Sequence, residues 1–189
     1  MFIQTEATPN PATLKFLPGK VVLESGTADF RDADEASAQS PLAGVLFSID
    51  GVTGVFFGYD FVTVTKDDGF EWHHLKPAIL AGIMEHFMSD APVMMTDNTG
   101  IETAPGEEFY ETDDEPIVAT IKELLDTRVR PAVAQDGGDI TFKGYRKGTV
   151  FLHMKGACAG CPSSTATLKH GIQNLLHHFI PEVQGVEAV

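Results

Sequence analysis

The chain has 189 residues, 43% of them hydrophobic and 21% charged, with a formal net charge of −14. That composition belongs to an ordinary water-soluble globular chain of one or two domains. No run of about 18 apolar residues occurs, which excludes a membrane-spanning helix, and the surplus of acid repels a phosphate backbone, which argues against nucleic-acid binding.

Phe2–Thr5 and Thr13–Leu17 read as short strands, separated by the turn chemistry of Thr8-Pro9-Asn10-Pro11 and closed by Pro18-Gly19. Val21–Leu23 could add to the sheet, and the acidic, Ala/Ser-rich Ala28–Gln39 reads as a loop or a poor helix. Ser40-Pro41 is an N-cap followed by proline at the first helical position, opening a helix through Leu42, Val45, Leu46 and Ile49. Val52–Phe57 and Phe61–Thr65 flank Gly58-Tyr59-Asp60, a hairpin signal. Leu75, Ile79, Ile83 and Phe87 mark one apolar helix face, with Pro77 expected in the first turn because an interior proline would cost about 3 kcal/mol.

Residues 96–116 carry eight acids and no Lys or Arg, the signature of an extended linker. The expected organisation is therefore an N-terminal domain over residues 1–90, an acidic linker over 91–115 and a C-terminal domain over 116–189. Charge follows that division: residues 1–95 hold 13 acids against 5 Lys/Arg, whereas residues 117–189 hold 8 Lys/Arg against 6 acids.

In the C-terminal part, Ile117, Ile121, Leu124, Leu125 and Val129 form a helical stripe that Pro131 should end or kink. Asp136-Gly137-Gly138-Asp139 is a sharp turn. Alternating runs at Ile140–Tyr145 and Thr149–Lys155 follow, then a Gly/Pro/Ser-rich loop with both cysteines, Cys158 and Cys161. Leu168, Ile172, Leu175, Leu176 and Phe179 form another helical stripe, and Val183–Val189 a last strand. The fold class expected is α+β: two small α/β domains joined by an acidic linker, the second a helix–strand–strand–helix–strand sandwich.

The two thiols are three residues apart and precede a helix start at Pro162-Ser163-Ser164. Helix N-termini present unpaired N–H groups and positive potential, so a lowered thiol pKa is expected here. Three chemistries compete with the plain alternative of two small packed residues. A 4Fe–4S cluster takes four thiolates; one chain has two, so two chains could bridge it. A dithiol oxidoreductase shares the strand, C-x-x-C, helix order, but here no aromatic precedes the first cysteine and a helix and hairpin stand where a βαβ unit should. Zinc could be completed by His153 or by a dimer, with His170 two turns into the helix and too distant. His73-His74 and His177-His178 read as solvated helix residues.

The segment G-A-C-A-G-C-P-S-S-T-A-T-L-K-H-G-I, with D-G-G-D-I before it and P-E-V-Q-G-V after it, resembles the NifU-type C-terminal domain of Nfu scaffold proteins over about Ile117–Val189. The N-terminal M-F-I-Q-T-E-A-T-P-N-P-A-T-L-K-F-L-P-G is similar to the domain that precedes it in mitochondrial and related bacterial Nfu proteins, over about Met1–Phe87. The resemblance implies a carrier rather than an enzyme. It implies a 4Fe–4S cluster bridging two subunits, Cys158 and Cys161 as metal ligands, and a homodimer when loaded. Upstream cluster assembly proteins and recipient apo iron–sulfur enzymes are the implied partners, with neither nucleic acid nor membrane. The N-terminal domain, having no cysteine, is expected to be an interaction module. With neither a secretory signal nor an Arg-rich leader at Met1, the expected address is cytoplasmic in a bacterium or the mature form in the mitochondrial matrix.

Overall fold

A computed structural model describes residues 1–95, 108–159 and 162–189. The chain divides into two compact units, Met1–Glu102 and Thr103–Val189.

The first unit runs β1 (Gln4–Ala7), β2 (Thr13–Leu17), β3 (Ala28–Phe30), α1 (Ala33–Gln39), α2 (Pro41–Phe47), β4 (Val52–Phe57), β5 (Val62–Lys66) and α3 (Trp72–Met88). Its strands form an antiparallel sheet in the order β1-β2-β5-β4-β3. Period-two alternation sends Val55, Phe57, Val62 and Val64 into one core with Leu42, Leu46, Ile79 and Ile83 of the helices. Ser40 caps α2 by accepting from the Ala43 amide at 3.0 Å. Trp72, at the start of α3, donates its indole N–H to the Pro11 carbonyl at 3.0 Å and so ties that helix to the turn after β1.

Three sequence expectations change here. Ala28–Gln39 divides: Ala28–Phe30 is a strand paired with β4, and the rest is helix, with Asp32 capping α1 by accepting from the amides of Asp34 and Glu35 at 3.0 Å. Val21–Leu23 is not a strand; the Val22 and Leu23 amides converge on the Tyr59 carbonyl at 2.7 and 3.2 Å. Pro77 lies inside α3, beyond its first turn. His73, Pro77 and their side of the helix are exposed, so water can take up the carbonyl that the missing N–H leaves behind.

The second unit runs α4 (Glu115–Leu124), α5 (Arg130–Gln135), β6 (Gly138–Arg146), β7 (Thr149–Gly156), α6 (Pro162–Phe179) and β8 (Gly185–Ala188). β6 and β7 form an antiparallel hairpin, and β8 joins β7 in parallel. Ile140, Phe142, Val150, Leu152 and Met154 point to a core shared with Ile121, Leu125, Val133, Ile172 and Leu176. This is the α+β architecture expected.

Pro131 does not end the first helix of this unit. Leu125–Val129 widens into a π-helical turn, and α5 resumes with Pro131 in its first turn. An α-helical proline would strike the carbonyl four residues earlier; a wider turn removes that clash without stopping the helix. The stretch read as linker also ends earlier than Glu115. Phe109 bridges to Gly144, with its amide on the Lys143 carbonyl at 3.2 Å and its carbonyl accepting from the Tyr145 amide at 2.8 Å. Lys122 pairs with Glu108 at 2.5 Å. Those acids therefore start the second unit, because an aromatic ring and two ladder hydrogen bonds outweigh the acidic composition around them.

Candidate metal centre

β7 ends at Gly156, whose φ of +65° is open to glycine at little cost and turns the chain sharply toward Cys158. The loop then folds back on itself and on the turn before β6: the Ala159 amide reaches the Gly156 carbonyl at 3.1 Å and the Ala157 amide reaches the Gly137 carbonyl at 3.2 Å. Thr165, in the first turns of α6, donates its hydroxyl to the Cys158 carbonyl at 3.1 Å. The loop is thus tied to both elements that flank it.

Cys158 is only 6% exposed and belongs to the hydrophobic core of the unit. Its sulfur lies against Gly138. A β-carbon at Gly138 would stand 2.7 Å from the sulfur and 2.7 Å from the Lys155 carbonyl, so any side chain there would displace one of them. Gly137 takes a φ of +80° and makes the turn; Gly138, paired in register with Gly156, makes the room. The sequence treated D-G-G-D as a turn alone. A turn that uses one left-handed residue does not explain its second glycine, and that surplus was the signal available.

Beside this seat stands an ion-pair cluster that sequence reasoning passed over. Arg130 of α5 forks onto Asp139, Nε to Oδ1 at 2.9 Å and Nη2 to Oδ2 at 3.0 Å, and its Nη1 reaches Asp126 at 3.1 Å. Asp139 is buried and directly follows Gly138. The charge-assisted fork therefore fixes the backbone under the thiol to α5.

The thiol is not activated, contrary to the expectation from the helix start. Burial first, then the charges of Asp136 and Asp139, push Cys158 up to about 12. In this conformation it is a neutral S–H, and becoming a ligand requires loss of that proton. Cys161 lies outside the described residues.

The histidines weighed for zinc do not gather at Cys158. The His153 ring Nδ1 is 3.1 Å from the Val189 carbonyl, His177 Nδ1 is 2.7 Å from the Val183 carbonyl, and His170 is exposed. Among the described residues no three His, Cys, Asp or Glu side chains stand together as a metal site.

Comparison with known proteins agrees along the whole chain. A family model described as the Nfu/NifU scaffold protein N-terminal domain matches residues 3–90, and a NifU-like domain model matches residues 121–187. The human protein named NFU1 iron-sulfur cluster scaffold homolog, mitochondrial, is 55% identical over 190 residues, covering 100% of this chain and 72% of the human one. The Arabidopsis thaliana protein named NifU-like protein 4, mitochondrial, is 52% identical over 189 residues, covering 99% of this chain and 65% of its own length. A solution NMR structure of a NifU-like protein from Saccharomyces cerevisiae aligns with a TM-score of 0.46 and 29% identity, over 51% of this chain and 87% of that one.

Proposed function

The chain belongs to the Nfu family of scaffold proteins, and from that membership we propose that it carries a 4Fe–4S cluster, bound by Cys158 and Cys161 of two copies, and delivers it to apo iron–sulfur proteins. The family is one of scaffolds rather than catalysts. The observation that carries the reading is the Cys158 loop, a cysteine held between a strand end and a helix start, in a chain whose only other cysteine is three residues away. Two thiolates per chain meet half the need of a cubane cluster, so the cargo itself completes the dimer.

Transfer is then ligand exchange. A recipient thiol loses its proton to solvent as its sulfur bonds iron, and the departing Cys158 or Cys161 thiolate takes up a proton. In the unloaded chain burial holds the Cys158 thiol protonated, whereas a dithiol oxidoreductase needs a thiolate ready at neutral pH. The first unit contains no cysteine. We assign it to partner recognition. The relatives are named mitochondrial, and the mitochondrial matrix is the address we propose.

The test is anaerobic reconstitution of the full chain with ferrous iron and sulfide, followed by iron and acid-labile sulfide analysis and sedimentation. Iron should saturate at about four per two chains. Dimer content should rise in step with iron, because cluster binding energy appears as association energy. A monomer with a full four-iron complement would sink the bridging reading.

A further inference from the structure

A ligand that bridges two chains has to face outward, yet the Cys158 side chain is turned into the core. The interior of a domain is close-packed and has no room for a four-iron cluster at that sulfur. The sulfur fits beneath Gly138 because that residue has no β-carbon. Gly138 in turn is held by its neighbour, Asp139, which Arg130 grips through two hydrogen bonds of 2.9 and 3.0 Å while also reaching Asp126 at 3.1 Å. The Ala157 amide meets the Gly137 carbonyl, and the Thr165 hydroxyl meets the Cys158 carbonyl. A floor that the missing β-carbon shapes to the sulfur, and that an ion pair holds in place, makes a seat for this one side chain.

We propose that the pocket under Gly138 is a resting seat for the Cys158 thiol, which must swing out of it before a cluster can bind, and that Arg130 is a positioning residue that keeps this seat closed through Asp139. The proposal rests on the reading of Cys158 as a cluster ligand. It assigns the chain a shielded unloaded state, in which the thiol is protected from alkylation and oxidation, and a loading step limited by the loop rather than by iron.

The experiment uses the full-length, reduced, iron-free chain and iodoacetamide, with modification of Cys158 followed by peptide mass spectrometry. Native Cys158 should react at least about a hundredfold more slowly than in the same chain unfolded in guanidinium chloride, as expected when reaction waits on local opening. Arg130→Gln and Gly138→Ala should each raise the native rate about tenfold with an unchanged far-UV circular dichroism spectrum, and Arg130→Lys should recover part of the protection. Arg130→Gln should also load cluster faster from a thiol-bound cluster donor while reaching the same final iron content. A purely structural role would instead lower final content or raise reactivity only in proportion to the globally unfolded fraction, and either result overturns the positioning role. Native Cys158 reacting as fast as the unfolded chain overturns the seat. If the chain takes up no cluster at all, the functional reading fails, and the alkylation ratio still decides whether the seat exists.

Discussion

Phe109 fills the notch that Gly144 leaves on the outer surface of β6: a β-carbon on Gly144 would stand 2.5 Å from the Phe109 ring. Phe151 lies 5.1 Å from the same ring, centroid to centroid, and the Arg146 guanidinium stands 5.2 Å from its centre. Phe109→Ala should therefore cost the second unit roughly 1–3 kcal/mol, less than the ~3–5 kcal/mol of a fully buried phenylalanine. It should also speed chymotrypsin cleavage after the already exposed Tyr110 by loosening its backbone. Cleavage after Tyr110 at the wild-type rate would show that the strap is not held by the ring.

Leu175 and Leu176 are adjacent on α6 and differ in burial. Leu176 is fully enclosed, whereas Leu175 is only partly buried against the core. Leu176→Ala should cost about 2–5 kcal/mol and Leu175→Ala about half as much or less, measured as the shift in urea midpoint at constant slope. Equal costs would mean that the helix is rotated from the face assigned to it.

Gly, Ala, Pro and Ser surround the two cysteines in the sequence, a setting in which replacing either cysteine is expected to leave the fold intact. The structure changes that for Cys158, which is part of the core. Cys158→Ser should cost about 1–3 kcal/mol because a hydroxyl is desolvated there. Cys158→Ala should cost nearer 1 kcal/mol, the cavity of a single sulfur. Both replacements, and Cys161→Ser, should abolish the visible charge-transfer band of the reconstituted cluster and the cluster-dependent dimer. A cluster retained in Cys158→Ala would remove that residue from the ligand set.

His86 is buried in the first unit, and its Nε2 has no hydrogen-bond partner among the described residues. Desolvation lowers its pKa below the ordinary 6.5, and only a backbone hydrogen bond with Ala91 acts the other way. Below pH 6.5 the unfolded chain then binds a proton that the folded chain refuses, so stability is complete above that pH and falls as acid is added. The only tryptophan, Trp72, reports this unit. Its urea midpoint should drop between about pH 7.5 and about pH 5.5, and His86→Phe should flatten that drop. An identical slope in the variant would place the effect elsewhere.

Much of the fold was legible because its signals are local. The Ser40-Pro41 cap, the β4–β5 hairpin and the four-residue spacing along α3 each depend on residues within a few positions, and each appears where it was read. What escaped depended on distant partners. Acidic composition hid the cap that Asp32 supplies to α1 and the ring that anchors Phe109. For Cys158, the helix start nearby argued for an activated thiol, but the deciding neighbours are Gly138 and Asp139, some twenty residues earlier and adjacent only after the β6–β7 hairpin closes. Local reading located the cysteine and misjudged its state.

The irregular step between Phe142 and Gly144 turns β6 into a ruler. On one side of it Tyr145 faces the core opposite Val150; on the other, Ile140 faces the core opposite Met154, and Gly138 falls on that same face over the sulfur. The extra residue at the step is what lets both halves keep their apolar sides together. Deleting Thr141, within the regular stretch, would force one half to roll over: either Phe142 leaves the core, or Asp139 turns onto the face that Gly138 now holds. Exchange of one amino acid for another along this strand is graded in its effects, but a single-codon deletion is not. The reading frame of the strand is itself a determinant of the site.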